Sequence, residues 1–472
     1  MPASKLTSST ELRVYDNILQ VIGNTPLVRL NRVGRSVSCP IYAKIEFLNP
    51  GGSVKDRIGT AMIAEAENSG RLKPGGTVVE STSGNTGVGL AITCAIKGYK
   101  TIFVMPDKMS QEKIQLLRAF GAKVLITPTA VAPDDPRSYY SVANRIVAET
   151  PNAILANQYH NPQNPGSHYL TTGPEIWEQT QGKVTDVVVG MGTGGTISGV
   201  GKYLKEQNPN IRMVGVDPTG SILLETWQAG QVPDDVQATT YKVEGIGEDF
   251  LPSSLDLSVI DQVVRVTDKE SFLWTRRLVR EEGIFCGGSS GSAVAAAVRY
   301  AQDLDAERLV VVLLPDSGSR YLSKVFDDKW MRENGFLEIH WGEVSLQELL
   351  EAKSGPGLVS AALDTPMSEL IDQMKEFDIS QVPVLHPDGT LAGIVTEVDL
   401  LKYMLDAGHD HSPHEPVAAV AQPADAVFPL TANLEDALPA VMEGNVILVT
   451  EGDHPVGILT KIDMLDFIAG KN

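Results

Sequence analysis

Through the first two thirds of the chain, short apolar runs closed by turn-forming residues alternate with longer stretches of helical character. The runs predict strands at Thr77 to Glu80, Thr101 to Met105, Lys123 to Thr127, Ala153 to Asn157, Asp186 to Gly190, Met213 to Val216 and Leu309 to Leu314. Helices are expected between them, including Gln111 to Phe120 and Lys269 to Glu282. This alternation is the signature of an α/β domain with a largely parallel sheet, whose ligands sit beyond the carboxyl ends of the strands. Residues that carry chemistry should therefore fall just after strands.

The last third repeats itself. Gly393 to Leu400 (GIVTEVDL) is echoed by Gly457 to Met464 (GILTKIDM), each after a short β-like run, Val382 to Leu385 and Val446 to Val449, with a period of 64 residues. Two copies predict a pseudo-twofold α+β unit. The copies are expected at about 345–405 and 415–470, giving a body of residues 1–340 and a tail of residues 341–472. Between them, Asp406 to Pro416 carries His409, His411 and His414. These are candidate metal ligands, but the Pro, Asp and Gly of the segment favour a solvated connector, and no metal site is expected.

Charge separates the same two parts. From Glu343 to Asn472 there are 22 acids, five lysines and no arginine, a net −17 of the formal −20, which leaves the body near neutral. Neither part is basic enough for nucleic acid. At 472 residues the chain exceeds one ordinary core. No apolar stretch reaches the ~18 residues of a membrane span, and Met1 to Arg13 lack the core of a signal peptide, so a cytoplasmic location without membrane partners is expected. Cys39, Cys94 and Cys286 are widely spaced and odd in number, which predicts buried reduced thiols rather than disulfides or zinc ligands.

Four segments carry candidate chemistry. In Asn49 to Arg57 (NPGGSVKDR), a strand over Ile41 to Phe47 meets a turn at Pro50 to Gly52, and Ser53 is expected to cap a helix running to about Ser69. Lys55 then lies in the first helical turn, where the positive end of the helix should pull its pKa down toward the nucleophilic neutral form. Taken alone, this segment reads as a solvated lysine; a Schiff base with a carbonyl cofactor is the chemical alternative. The second segment, Glu80 to Gly87 (ESTSGNTG), sets hydroxyls and backbone N–H groups before a helix starting near Thr86, an anion site suited to a carboxylate. Asn85 is placed there to meet a phenolic oxygen of a cofactor. For any single residue of the loop, an ordinary helix cap explains as much.

The third segment is Gly190 to Thr196 (GMGTGGT), before a helix expected from about Ile197, where glycines let backbone amides approach a phosphate. Gly190, Gly192 and Gly195 also match the dinucleotide fingerprint, with Asp217 at the end of the next strand where a ribose-binding acid belongs. Read alone, this passage indicates a nicotinamide enzyme. That reading leaves the lysine segment and the Ser-Gly-Asn loop unexplained, whereas a phosphorylated aldehyde cofactor uses all three. The fourth segment, Cys286 to Ser292, opens an alanine-rich helix; Ser289 is either a partner for a pyridine nitrogen or part of a capped helix start.

Together, Asn49 to Arg57, Ser83 to Gly87, Gly192 to Thr196 and Gly287 to Ser289 resemble the fold type II pyridoxal-phosphate β-replacement family, which holds the cystathionine β-synthases and the O-acetylserine sulfhydrylases. Met105 to Ser110, Asp217 to Leu223 and Glu244 to Phe250 look more like the former, and Thr172 to Trp177 more like the latter. The acidic tail is similar to a Bateman module of two CBS motifs, so the resemblance covers nearly the whole chain. It implies parallel-type sheets flanked by helices and an enzyme that condenses L-serine with L-homocysteine to L-cystathionine and water. Cysteine synthesis from O-acetylserine and sulfide is the alternative; an oxidoreductase, or an idle sensor on a scaffold body, is more distant.

By the same resemblance, Lys55 carries pyridoxal phosphate and moves the Cα proton, Asn85 meets the ring hydroxyl, Gly192, Thr193, Gly194, Gly195 and Thr196 bind the phosphate, and Ser289 faces the ring nitrogen. A serine partner leaves that nitrogen neutral, which favours β-elimination over transamination. The substrate carboxylate is expected at Thr82, Ser83, Gly84, Asn85 and Thr86 with Gln158, and the second substrate near Tyr159, Gly245 and Gly247. Animal relatives bind haem through a Cys and a His in an extension; the roughly twenty residues before Val21 contain neither type, so no haem is expected. In the tail, Thr460 with Asp463, and their counterparts Thr396 with Asp399, are the expected adenosyl-ligand residues. A module at −17 without arginine suits the sulfonium of S-adenosylmethionine better than the phosphates of ATP; a tail that only aids assembly is the alternative. A homodimer or higher homo-oligomer is implied.

Overall fold

The computed structural model describes residues 14–337 and 344–469, apart from 83, 108, 110, 129, 130, 132–134, 354–356 and 407–411. Ser83 of the expected carboxylate loop, and His409 and His411 of the connector, lie outside the described residues. The chain forms two compact units, Met1–Met331 and Arg332–Asn472.

In the first unit a six-stranded sheet runs in spatial order Leu27–Arg29, Ile41–Ile45, Val310–Leu314, Asp186–Gly190, Arg212–Pro218 and Gln262–Val266. Only the first pairing is antiparallel. A second sheet of four parallel strands has the order Lys123–Thr127, Lys100–Pro106, Thr77–Ser81 and Ala153–Leu155. Helices cover both faces of the large sheet, so its central strands are continuous apolar runs. Val310, Val312 and Leu314 pack toward the Gly288–Ala301 helix, while Val311 and Leu313 pack with Ile176, Ile197 and Leu204 on the other side. The alanines of that helix keep it close to the sheet. Cys39, Cys94 and Cys286 are buried free thiols.

The strand from Ile41 stops at Ile45 rather than Phe47, because Glu46 turns inward to an ion pair with Arg57. The expected helix from Lys269 begins at Asp268 and changes at Leu278 from α to a π-helical turn, Leu278–Glu282. Two strands were not legible. Leu27–Arg29 is only three residues long, and Gln262–Val266 is an edge strand interrupted by polar residues.

The second unit holds two three-stranded sheets, Ala361–Ala362, Gln381–Leu385, Leu391–Thr396 and Val427–Pro429, Ile447–Glu451, His454–Leu459. Each combines one parallel and one antiparallel pairing, as the repeat requires. The segments leading into the repeats are exchanged. Leu346 and Leu349 of the Leu346–Ala352 helix sit in the core of the second repeat, whereas Val417 and Val420 sit in the core of the first. The sequence boundary near 345 puts that helix with the first repeat, because adjacency along the chain does not reveal the exchange. No helix among the described residues is long and apolar enough to cross a membrane.

Candidate active site

Lys55 is the first residue of the helix Lys55–Asn68, at the carboxyl end of the Ile41–Ile45 strand. The cap position falls on Val54, one residue later than expected, while Ser53 Oγ still accepts from Lys55 N at 3.2 Å. Beneath it, Arg57 bridges the carboxylates of Glu46 and Glu175, and Lys44 reaches Glu175 at 2.7 Å. This buried ion network fixes the helix to its neighbours. The Lys55 amine lies 3.3 Å from Thr193 Oγ1, and its pKa falls to about 8. The cause differs from the helix-end effect expected: burial strips water from the ammonium, and the nearby Glu248 carboxyl only partly opposes this.

Thr193 belongs to the glycine loop between the Asp186–Gly190 strand and the helix Gly195–Gln207, which starts two residues before its expected position. Side chains are excluded along this loop. A Cβ on Gly192 would stand 2.7 Å from the Gly245 carbonyl, and one on Gly195 only 1.9 Å from Asn164 Oδ1. Gly194, at φ 80°, adopts the left-handed conformation that favours glycine. Asn164 Nδ2 donates to Thr193 Oγ1 at 3.0 Å and to the Gln158 carbonyl at 2.8 Å, and Ser254 Oγ donates to the Thr193 carbonyl at 2.6 Å. Thr196 Oγ1 lies 3.2 Å from Nε2 of the buried His168, whose pKa burial drives far down, so this ring is neutral.

The polar loop joins the same cluster. The Asn85–Lys97 helix follows the Thr77–Ser81 strand, and Thr82 Oγ1 accepts from the N–H groups of Gly84 and Gly87. Thr86 Oγ1 donates to Gln158 Oε1. Gln158 is held in turn by Glu80, which accepts its N–H at 3.2 Å and that of Asn157 at 2.6 Å; burial lifts the Glu80 carboxyl to about 7. Gly247 N donates to the Met191 carbonyl at 2.6 Å, so the Gly245 to Gly247 turn lies along the glycine loop. The Tyr159 ring packs edge-on against Phe250 at 5.2 Å.

Asn85 and Gly287, two residues before Ser289, are joined through Asp316, a residue the sequence did not single out. Asn85 Nδ2 donates to Asp316 Oδ2 at 2.8 Å, Tyr321 donates to the same oxygen at 2.6 Å, and Gly287 N donates to the Asp316 carbonyl at 3.0 Å. Ser289 is the second residue of the helix Gly288–Ala301, 3% exposed. Asp316 lies just past the Val310–Leu314 strand, the one signal that marked it. Glu80 and Glu248 were visible only as members of motifs, and Asn164 carried no signal.

The fingerprint reading does not survive this geometry. Asp217 is fully buried, its Oδ2 taken by Leu224 N at 2.9 Å and Arg265 Nη2 at 2.8 Å, so it is unavailable to a ribose. The site instead fits a phosphorylated carbonyl cofactor: an amine of lowered pKa, a glycine cradle at a helix N-terminus, and a buried Asn85 Oδ1 without a partner, which a ring hydroxyl would satisfy.

The expected tail residues lie in the second unit. Thr396 with Asp399, and Thr460 with Asp463, each form a tight cap pair, the threonine hydroxyl donating to the aspartate at 2.6 Å.

Residues 18–316 match the family of pyridoxal-phosphate dependent enzymes, and residues 354–406 match the CBS domain. The chain is 41% identical to a cystathionine beta-synthase of Dictyostelium discoideum, over 96% of this chain and 92% of that one. It is 38% identical to that of Saccharomyces cerevisiae, over 96% and 98%. A cysteine synthase of Staphylococcus aureus is 44% identical over 98% of its own length but 66% of this chain. The crystal structure of a hydrogen sulfide-producing enzyme from Fusobacterium nucleatum gives a TM-score of 0.60 at 37% identity, over 66% of this chain and 100% of that one. The cofactor is pyridoxal phosphate. The chain belongs to the cystathionine β-synthase family of pyridoxal-phosphate-dependent enzymes.

Proposed function

We propose that the enzyme replaces the hydroxyl of L-serine with the thiol of L-homocysteine, releasing L-cystathionine and water, as a homo-oligomer whose tail binds S-adenosylmethionine at Thr460 and Asp463. Bound pyridoxal phosphate supplies the electron withdrawal that makes a substrate Cα proton acidic. The rest is work for the protein's own groups.

The observation that carries this reading is the approach of the Lys55 amine to the Thr193 hydroxyl, which puts a nucleophilic nitrogen and an anion cradle in one site. With its pKa at about 8, roughly a fifth of the amine is neutral at pH 7.4, against about one part in a thousand for an ordinary lysine. Lys55 therefore serves both as the group that holds the cofactor and, once free, as the base at Cα that returns its proton to the leaving hydroxyl. Gly192, Thr193, Gly194, Gly195 and Thr196 would hold the phosphate, with Asn85 toward the ring hydroxyl and Ser289 toward the ring nitrogen.

The substrate carboxylate goes to the loop of Thr82 to Thr86. Thr82 Oγ1 already accepts two N–H groups, so its hydroxyl hydrogen remains for a carboxylate oxygen. Gln158 uses Oε1 to accept from Thr86, which leaves its Nε2 hydrogens for the other. Tyr159 and the Gly245 to Gly247 turn form the wall toward the second substrate. Homocysteine is preferred over sulfide because the relatives of near-equal length are cystathionine beta-synthases, while the cysteine synthase matches the body alone. Steady-state assay of both substrate pairs tests this, with Lys55→Ala as the inactive control.

A further inference from the structure

The two repeats of the second unit are alike in sequence yet finish their acidic sites differently. In the first, the Ile394 carbonyl accepts the backbone N–H of Gln422 at 2.9 Å, and the Ile394 N–H returns a bond to Gln422 O at 2.8 Å. Main chain covers that strand so closely that a Cβ on Gly393 would lie 2.6 Å from Gln422 O. Asp399 there accepts from Thr396, through its hydroxyl and its N–H, and from no other donor among the described residues.

In the second repeat the covering element is a helix, Leu346–Ala352, seated with Leu350 against Gly457, where a Cβ would stand 2.5 Å away. A helix has no free N–H groups on its side to give the strand. The Ile458 carbonyl is satisfied by a side chain instead: Lys353, the C-cap of that helix, donates to it at 2.9 Å. The same ammonium donates to Asp463 Oδ2 at 3.0 Å, the oxygen that also accepts the Thr460 hydroxyl and N–H. Asp463 is thus occupied by a tethered cation, whereas no cation among the described residues pairs with Asp399.

We propose that Lys353 is a built-in competitor at the second adenosyl site, which a ribose must displace from Asp463 before it can bind. The proposal rests on the assignment of Thr460 and Asp463 as ribose ligands and adds to it the element that sets affinity and ligand choice. All three donors fall on Oδ2, so a diol that takes both carboxylate oxygens must displace one of them, and Lys353 is the one that does not belong to the helix cap. The ion pair is partly exposed, with 27% of the lysine side chain accessible, so its displacement is a modest barrier rather than a block. Lys353 also places a positive charge where a sulfonium ligand approaches, which tunes the site down for such a ligand in an otherwise strongly acidic tail. Among the described residues the device belongs to one repeat, and it follows from the helical form of the covering segment, which sets Lys353 at the helix end.

The test is calorimetric titration of the full-length, cofactor-loaded protein with S-adenosylmethionine and, separately, adenosine. Lys353→Met should tighten both on the order of three- to tenfold, while Lys353→Arg, which keeps the charge, should stay near the parent. Asp463→Asn should weaken binding in either background, and Asp399→Asn should not. Unchanged or weaker binding in Lys353→Met overturns the competitor role and leaves the adenosyl site standing. Binding lost through Asp399→Asn but retained in Asp463→Asn places the ligand in the other repeat and also overturns it. Binding of neither compound to parent or variant rejects the adenosyl reading itself.

Discussion

Asn164 donates its side-chain amide to the Thr193 hydroxyl at 3.0 Å, the oxygen to which the Lys55 amine is also directed at 3.3 Å. With both lone pairs of that oxygen engaged, the Thr193 hydrogen is left to point elsewhere, toward a phosphate in the glycine loop. The three residues are far apart in sequence, from positions 55, 164 and 193, and the loop acquires its donor only because the fold joins them.

Thr193→Val keeps the shape of this side chain and removes the donor. Pyridoxal phosphate should then bind about tenfold more weakly, the effect of one charge-assisted hydrogen bond. Fluorescence titration of cofactor-depleted protein reads this directly, and an unaltered dissociation constant would dissociate Thr193 from the phosphate.

The Lys55 amine must be neutral to accept the Cα proton, so turnover should rise as pH increases through about 8 and level off above it. Burial causes the lowered value, and thus a substitution that wets the site moves the inflection upward. A rate flat between pH 7 and 9.5 under saturating substrate would argue against this amine as the base.

Gly195 touches Asn164 so closely that an alanine there must push the amide away. Gly195→Ala should fold at a cost of about 1–3 kcal/mol and lose cofactor affinity more than tenfold, because the bond from Asn164 to Thr193 breaks with the displacement. Thermal melts and cofactor titration separate the two effects. A folded variant with normal affinity would show that the loop tolerates the displacement.

Glu80 offers a test through stability. Burial raises its carboxyl from 4.5 to about 7, so between those values the native protein keeps a proton that the unfolded chain has released. Its contribution to stability is complete below 4.5 and is lost as pH rises through about 7. Glu80→Gln removes this dependence. The melting temperature of the parent should fall relative to that of the variant between pH 5 and 7.5, whereas parallel curves would place the titration elsewhere.

Sequence patterns located the body's sheet and the lysine, glycine and polar loops because each is a local event: a strand end, a turn and a helix start within about ten residues. The Lys55 helix ends at Asn68 with Ser69 as its cap, against an expected end near Ser69. The supports of the site are a different matter. Asp316 reaches Asn85 across 231 positions and Glu80 reaches Gln158 across 78, and no local period encodes either contact. The cause of the lowered Lys55 pKa was hidden for the same reason, since burial is a property of the packed fold. In the tail, the 64-residue repeat was plain, yet the exchange of leading segments was not, because it preserves the pattern of each copy.

The most direct measurement is the specificity constant of the purified protein for serine plus homocysteine, set against that for O-acetylserine plus sulfide under the same conditions. Cystathionine should form with the higher value, and should vanish with Lys55→Ala together with the visible absorbance of the bound cofactor. Cysteine formation from O-acetylserine and sulfide at the higher value, with little or no cystathionine from the first pair, would contradict it.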